Sequence, residues 1–99
     1  MNNLVIVGRL VDEVEVVETE TKKYGFFKLA VTRNYKNVDG VYETDFISCK
    51  VGGAMLANVQ EYLNKGDLIG VKGSIHSNEE NIYVNAEKIT FLSSTKKEN

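Results

Sequence analysis

The 99 residues of this chain suffice for one domain, since so short a polypeptide cannot bury two separate cores. A hydrophobic share of 42% beside 26% charged residues excludes disorder and fibrous repeats, and no apolar run approaches the ~18 residues of a membrane-spanning helix. The net charge of −2 speaks mildly against a nucleic-acid partner, and the lone Cys49 excludes an internal disulfide or a closed thiolate metal site.

The opening MNNLVIVGRL lacks the basic segment of a secretory signal, so a soluble, cytoplasmic protein is expected. Asn2 to Leu10 is β-rich, and Glu13 to Val16 alternate charged and apolar residues, which predicts a long, bent or interrupted first strand. Lys22, Lys23 and Gly25 break that pattern before a second strand over FFKLAVTR. There Phe27, Leu29 and Val31 share one face and Lys28, Ala30 and Thr32 the other. Asn34 to Gly40 is rich in turn formers, with Asp39 and Gly40 placed as a hairpin connection. The third strand, VYETDFISCKV, directs Ile47, Cys49 and Val51 to the core and Tyr42, Thr44, Phe46, Ser48 and Lys50 outward.

Gly52 and Gly53 end that strand. Leu56, Val59 and Leu63 then recur at helical spacing through AMLANVQEYLNK, predicting a helix of about three turns that stops at Lys65 and Gly66. The fourth strand, DLIGVKGSI, turns Ile69, Val71, Gly73 and Ile75 inward, with Gly70 and Gly73 as candidate bends or bulges. A fifth strand, NIYVNAEKITFL, follows the polar turn at Ser77 to Glu80. Three strands, a helix and two strands form the element order of the OB-fold, and an SH3-like barrel lacks that helix. The predicted class is therefore all-β: a five-stranded OB-fold Greek-key barrel with one helix between strands three and four, over residues 1–93. Residues 94–99 are left as a short polar tail.

Charge is segregated along the chain. Asp12, Glu13, Glu15, Glu18 and Glu20 form an acidic stretch without one base, whereas Thr21 to Val38 holds Lys22, Lys23, Lys28, Arg33 and Lys36 without one acid. No catalytic set stands out: His76 ends the fourth strand, and Cys49 has the parity of a core residue. The acids lack EF-hand spacing, and the glycines form neither GxxxxGK[ST] nor GxGxxG, so neither a metal nor a cofactor is expected. The informative residue is Phe46, a large apolar ring with the outward parity of Ser48 and Lys50. Single-strand binders give such a ring a role, since unstacked bases lie on it while Lys and Arg follow the phosphates. Lys28 and Thr32 share the outward parity, and Tyr35 and Lys36 lie close by in the adjoining loop.

Over nearly its whole length the chain resembles the DNA-binding domain of bacterial and phage single-stranded DNA-binding proteins. The segments MNNLVIVGRL, FFKLAVTRNYKN, DFISCKV, ANVQEYLNKGDLIGVKG and AEKITFL match that family in order and spacing. The resemblance implies non-sequence-specific single-strand binding in replication, recombination or repair by a homodimer or homotetramer paired through the first strand, with Asn3, Val5 and Val7 at the contact. It places stacking aromatics at Tyr35 and Phe46 and basic contacts at Arg9, Lys28, Arg33, Lys36, Lys50 and Lys72. The Arg9 and Arg33 positions match most closely by neighbouring motif. Two departures stand out. Gly52 replaces an aromatic, and HSNEEN is a short acidic hairpin where relatives have a long basic one, so weaker binding over a shorter site is expected. The chain stops at SSTKKEN without the acidic-tipped tail of cellular members, so tail-mediated recruitment of replication proteins is not expected. These departures keep open an alternative, an OB-fold protein-interaction or primosome-like module with weak DNA affinity.

Overall fold

The computed structural model describes residues 1–93. The polar tail expected at 94–99 lies outside the described residues. Strands β1 (Leu4–Leu10), β2 (Glu15–Glu18), β3 (Lys23–Lys36) and β4 (Tyr42–Gly52) precede helix α1 (Ala54–Tyr62), and β5 (Leu68–Ser77) and β6 (Ile82–Ser93) follow it. The sheet runs β1-β5-β6-β4-β3-β2, and a further β1·β3 pairing at Arg9·Ala30 and Leu10·Leu29 closes five of the strands into a barrel. This is the expected OB-fold barrel, with α1 between β4 and β5. The interrupted first strand resolves into β1 and β2, the latter lying along the start of β3.

The alternating pattern of each strand sends one parity inward. Leu10, Phe27, Leu29, Cys49, Val51, Ile69, Val71 and Val84 fill the barrel, and Leu56, Val59 and Leu63 plug it from the helix side. Each such side chain contributes on the order of 1.5–3 kcal/mol through removal from water. The helix is shorter than its periodicity predicts. It ends at Tyr62 after 9 residues, because the Leu63 N–H still reaches the Val59 carbonyl but Leu63 itself is extended. The Asp67 carboxylate then accepts the Asn64 N–H at 2.8 Å and folds the chain back toward β5.

Three expectations need correction. Gly25 does not break the chain before the second strand; it lies inside β3, buried and paired with Val16 and Val51. A Cβ there would stand 2.7 Å from Leu56 Cδ1 and 3.0 Å from Val14 Cγ1, so glycine lets the helix pack directly on the strand. β3 also continues through Tyr35 to Lys36, leaving a tighter turn than predicted. In that turn Asn37 Oδ1 accepts the N–H groups of Asp39 and Val41, and Gly40 takes φ +76°. Ile75 is not a core residue. It keeps the inward parity opposite Val84, but β1 reaches only as far as Gly73, so Ile75 lies past its cover and is 49% exposed.

Of the two strand glycines, Gly73 sits at a register shift. Lys72 pairs with Lys88 and Gly73 with Ala86, so Glu87 of β6 is the extra, bulged residue. Gly70 lies at no shift. It leaves room for Val7 and Leu92, whose methyls would come within 3.9 Å and 3.8 Å of a Cβ there.

Candidate nucleic-acid interface

The antiparallel register of β3 with β4 fixes the outer surface row by row. Directly opposed outward pairs are Thr32·Thr44, Ala30·Phe46, Lys28·Ser48, Phe26·Lys50 and Tyr24·Gly52. Phe46 is thus placed on the outside by pairing as well as by parity, and its ring is 61% exposed. The β1·β3 pair Arg9·Ala30 adds Arg9 to the Phe46 row, with its Nη1 donating to the Gly66 carbonyl at 3.0 Å. At the far end Lys36 pairs with Tyr42, and its ammonium lies 5.7 Å from the centre of that ring. Tyr35 is also exposed, within the irregular stretch between Thr32 and Lys36.

Phe46, Arg9, Lys28, Lys36 and Lys50 therefore share one side of the β3–β4 ribbon. Two of the expected basic residues do not join them. Arg33 grips Asp45 through Nε and Nη2, both at 2.9 Å, and Glu43 through Nη1 at 2.7 Å. Asp45 pairs with Val31 on the parity opposite to Phe46, so this cluster occupies the other side of the ribbon. The hydrogen bond to Asp45 raises the Arg33 pKa above its ordinary value, and the same bond holds Asp45 below the usual carboxylate range. Lys72 lies opposite Val5 and Lys88 on the outer surface of β1, β5 and β6, beside the exposed Val5 and Val7 rather than beside Phe46. Asn3 is exposed just before β1.

Tyr24, Phe26 and Tyr83 were not anticipated from the sequence. Phe26 meets Tyr24 edge-on at 5.4 Å and Tyr83 at 6.5 Å between ring centres. The Lys50 ammonium stands 4.6 Å from the Tyr24 ring centre and 5.7 Å from that of Tyr83. Phe26 carries the same outward parity as Lys28, which is the signal that marks Phe46. Tyr24 lies among Lys22, Lys23 and Gly25, where the alternating pattern of the sequence is interrupted, so parity does not reveal it. The segregated charge also folds back on itself: β2 sets Glu15 directly opposite Phe26 and Glu18 opposite Lys23.

Cys49 is fully buried, and desolvation pushes its thiol up to about 12, so it stays protonated at neutral pH. Among the described residues no group of His, Cys, Asp and Glu is arranged to hold a metal ion, and no helix is long and apolar enough to cross a membrane.

Residues 1–91 match the sequence profile described as the Single-strand binding protein family. The single-stranded DNA-binding protein of Staphylococcus epidermidis is 35% identical over 77 residues, covering 78% of this chain and 59% of that protein. Single-stranded DNA-binding protein 1 of Streptococcus pyogenes serotype M18 is 41% identical over 78 residues, covering 78% of this chain and 60% of that one. The chain thus spans less than two thirds of the length of these curated relatives. A small single-stranded DNA-binding protein from Streptomyces coelicolor shares the fold, with a TM-score of 0.78 at 21% identity over 93% of this chain and 95% of that one. So does a Plasmodium falciparum SSB solved in complex with ssDNA, with a TM-score of 0.80 at 19% identity over 94% and 96% of the two chains.

Proposed function

Because this chain belongs to the single-strand binding protein family, we propose that it coats single-stranded DNA in the cytoplasm without sequence preference, in replication, recombination or repair. The observation that carries this reading is the exposed Phe46 ring on the same side of the ribbon as Arg9, Lys28, Lys36 and Lys50. A base stacked on an aromatic side chain contributes ~1–3 kcal/mol, and cations on either side take the phosphates. The Plasmodium falciparum relative, solved with ssDNA, supports the assignment of the ligand. Tyr35, exposed farther along β3, is the second proposed stacking platform.

Fluorescence-anisotropy titration of oligo(dT), against a duplex of equal length, tests it. Binding should be confined to the single strand and weaken with salt. If the four cations of the ribbon each neutralise a phosphate, the log–log slope is about −3. Absence of single-strand binding even at low salt would leave the protein-interaction module as the function.

The functional unit is proposed to be a homo-oligomer. β1 meets β3 only at Arg9 and Leu10, so one edge of Leu4 to Val7 has no strand partner among the described residues. Val5 is 69% and Val7 48% exposed there, close to Leu92. An unpaired apolar edge is the surface on which a second copy adds a strand, with Asn3 at its start. Light scattering after size exclusion should give a dimer or tetramer for the unsubstituted chain and a folded monomer for Val5→Asp/Val7→Asp. An unchanged mass in the variant would place the contact elsewhere.

A further inference from the structure

The rings of Phe26 and Tyr83 lie outside the Phe46 row, and they form the floor of an open groove. One wall is the connection from β1 into β2, with Asp12, Glu13 and Glu15; the other is the turn from β5 into β6, with Asn78 and Asn81. The Asn78 side-chain oxygen is already engaged, since Oδ1 accepts the N–H groups of Glu80 and Asn81 and sets the turn. Lys28 and Ser48 also line it, and Lys50 pairs with Phe26 from β4.

The wall carboxylates repel a phosphodiester, so a backbone does not run through this groove. A flat ring bearing N–H donors suits this lining: an aromatic face in Phe26, carboxylate acceptors in Glu13 and Glu15, and the cations Lys28 and Lys50 near by for the phosphates. The position suits a continuing strand. Lys50, opposite Phe26, is four residues beyond Phe46 on β4, a rise of ~13 Å along an extended strand. Building on the single-strand reading above, we infer that this groove is a nucleobase pocket. It stacks one base of the bound strand on Phe26, with the perpendicular Tyr83 ring at its side, and selects bases whose exocyclic amino group donates to Glu13 or Glu15. Cytosine presents its N4 amino group to such carboxylates, whereas thymine presents a carbonyl oxygen that they repel. Selectivity is confined to this pocket, and stacking on Phe46 remains indifferent to sequence.

Anisotropy titrations with oligo(dC) and oligo(dT) of equal length, at low salt and slightly alkaline pH, test the pocket. The unsubstituted chain should prefer oligo(dC) by about five-fold. In Glu13→Gln/Glu15→Gln that preference should fall to about one, because a carboxamide can donate to thymine as well as accept from cytosine. Phe26→Leu should weaken oligo(dC) more than oligo(dT), while Phe46→Ala should weaken both and keep their ratio. No preference in the unsubstituted chain, or a preference untouched by the glutamine pair, overturns the pocket while leaving the coating function intact if both oligomers bind. Binding of neither oligomer overturns both. Glu13 and Glu15 are exposed, so the glutamine variant reports even if Phe26→Leu fails to fold.

Discussion

Phe46→Ala combined with Tyr35→Ala is expected to weaken oligo(dT) binding by about 100-fold or more while leaving the melting temperature close to that of the unsubstituted chain. Each ring offers a stacking platform of ~1–3 kcal/mol, and two lost platforms multiply. Folding should be spared because both rings are about three-fifths exposed, at 61% and 60%, and neither belongs to the buried core. Surface changes away from packed features stay within about 0.5 kcal/mol. Phe46→Ala alone should account for the larger part, about ten-fold or more in the middle of that range, since its outward place opposite Ala30 is fixed by the register. Tyr35 lies where the β3·β4 ladder is irregular and contributes the smaller share. Retention of full affinity by the double variant would mean that single strands bind another face of the barrel, and the proposed path would be wrong.

Gly73→Ala is expected to cost about 3 kcal/mol or more of folding stability, at the upper end of what overpacking does. A Cβ at Gly73 would run into the carbonyl of Asn85. That carbonyl cannot retreat, because β6 is clasped on both sides at this point: Asn85 pairs with Lys50 of β4 and with Ser74 of β5. The Glu87 bulge brings the two backbones this close. Gly52→Ala is the control. Its Cβ would meet only ordinary contacts at 3.9 Å, and its φ is not positive, so it should be neutral or stabilise slightly through the unfolded chain. Urea denaturation of the two variants gives the comparison. Equal midpoints would show that the barrel yields at Gly73 and that the closure there is not rigid.

The strands were legible because one side of each meets the core. Ile47, Cys49 and Val51, or Phe27 and Leu29, announce their face by a period of two, and an outward Phe46 is conspicuous against it. The same rule gives Phe26 the outward parity of Lys28, but next to the inward Phe27 it does not stand out as an exposed ring until the register sets it opposite Lys50. The acidic stretch shows in the sequence only as a run segregated from the bases, whereas β2 folds it against β3 and makes it the wall of a groove. Arg33 has the residue type of a phosphate contact, yet Asp45 and Glu43 hold it on the other side of the ribbon.

The sequence by itself determined the order of elements, the inward faces, the single helix and the outward aromatic on β4. These depend on periodicities within one segment of chain, which local sterics and the exclusion of water enforce without knowledge of any partner. Only the tertiary structure decided which side chains meet across strands: Arg9 with the Phe46 row, Lys50 with Tyr24 and Tyr83, Glu15 opposite Phe26, and Ile75 left beyond the reach of β1. Register, bulges and barrel closure fix those meetings. They arise from hydrogen bonds between segments far apart in the chain, so no local pattern encodes them.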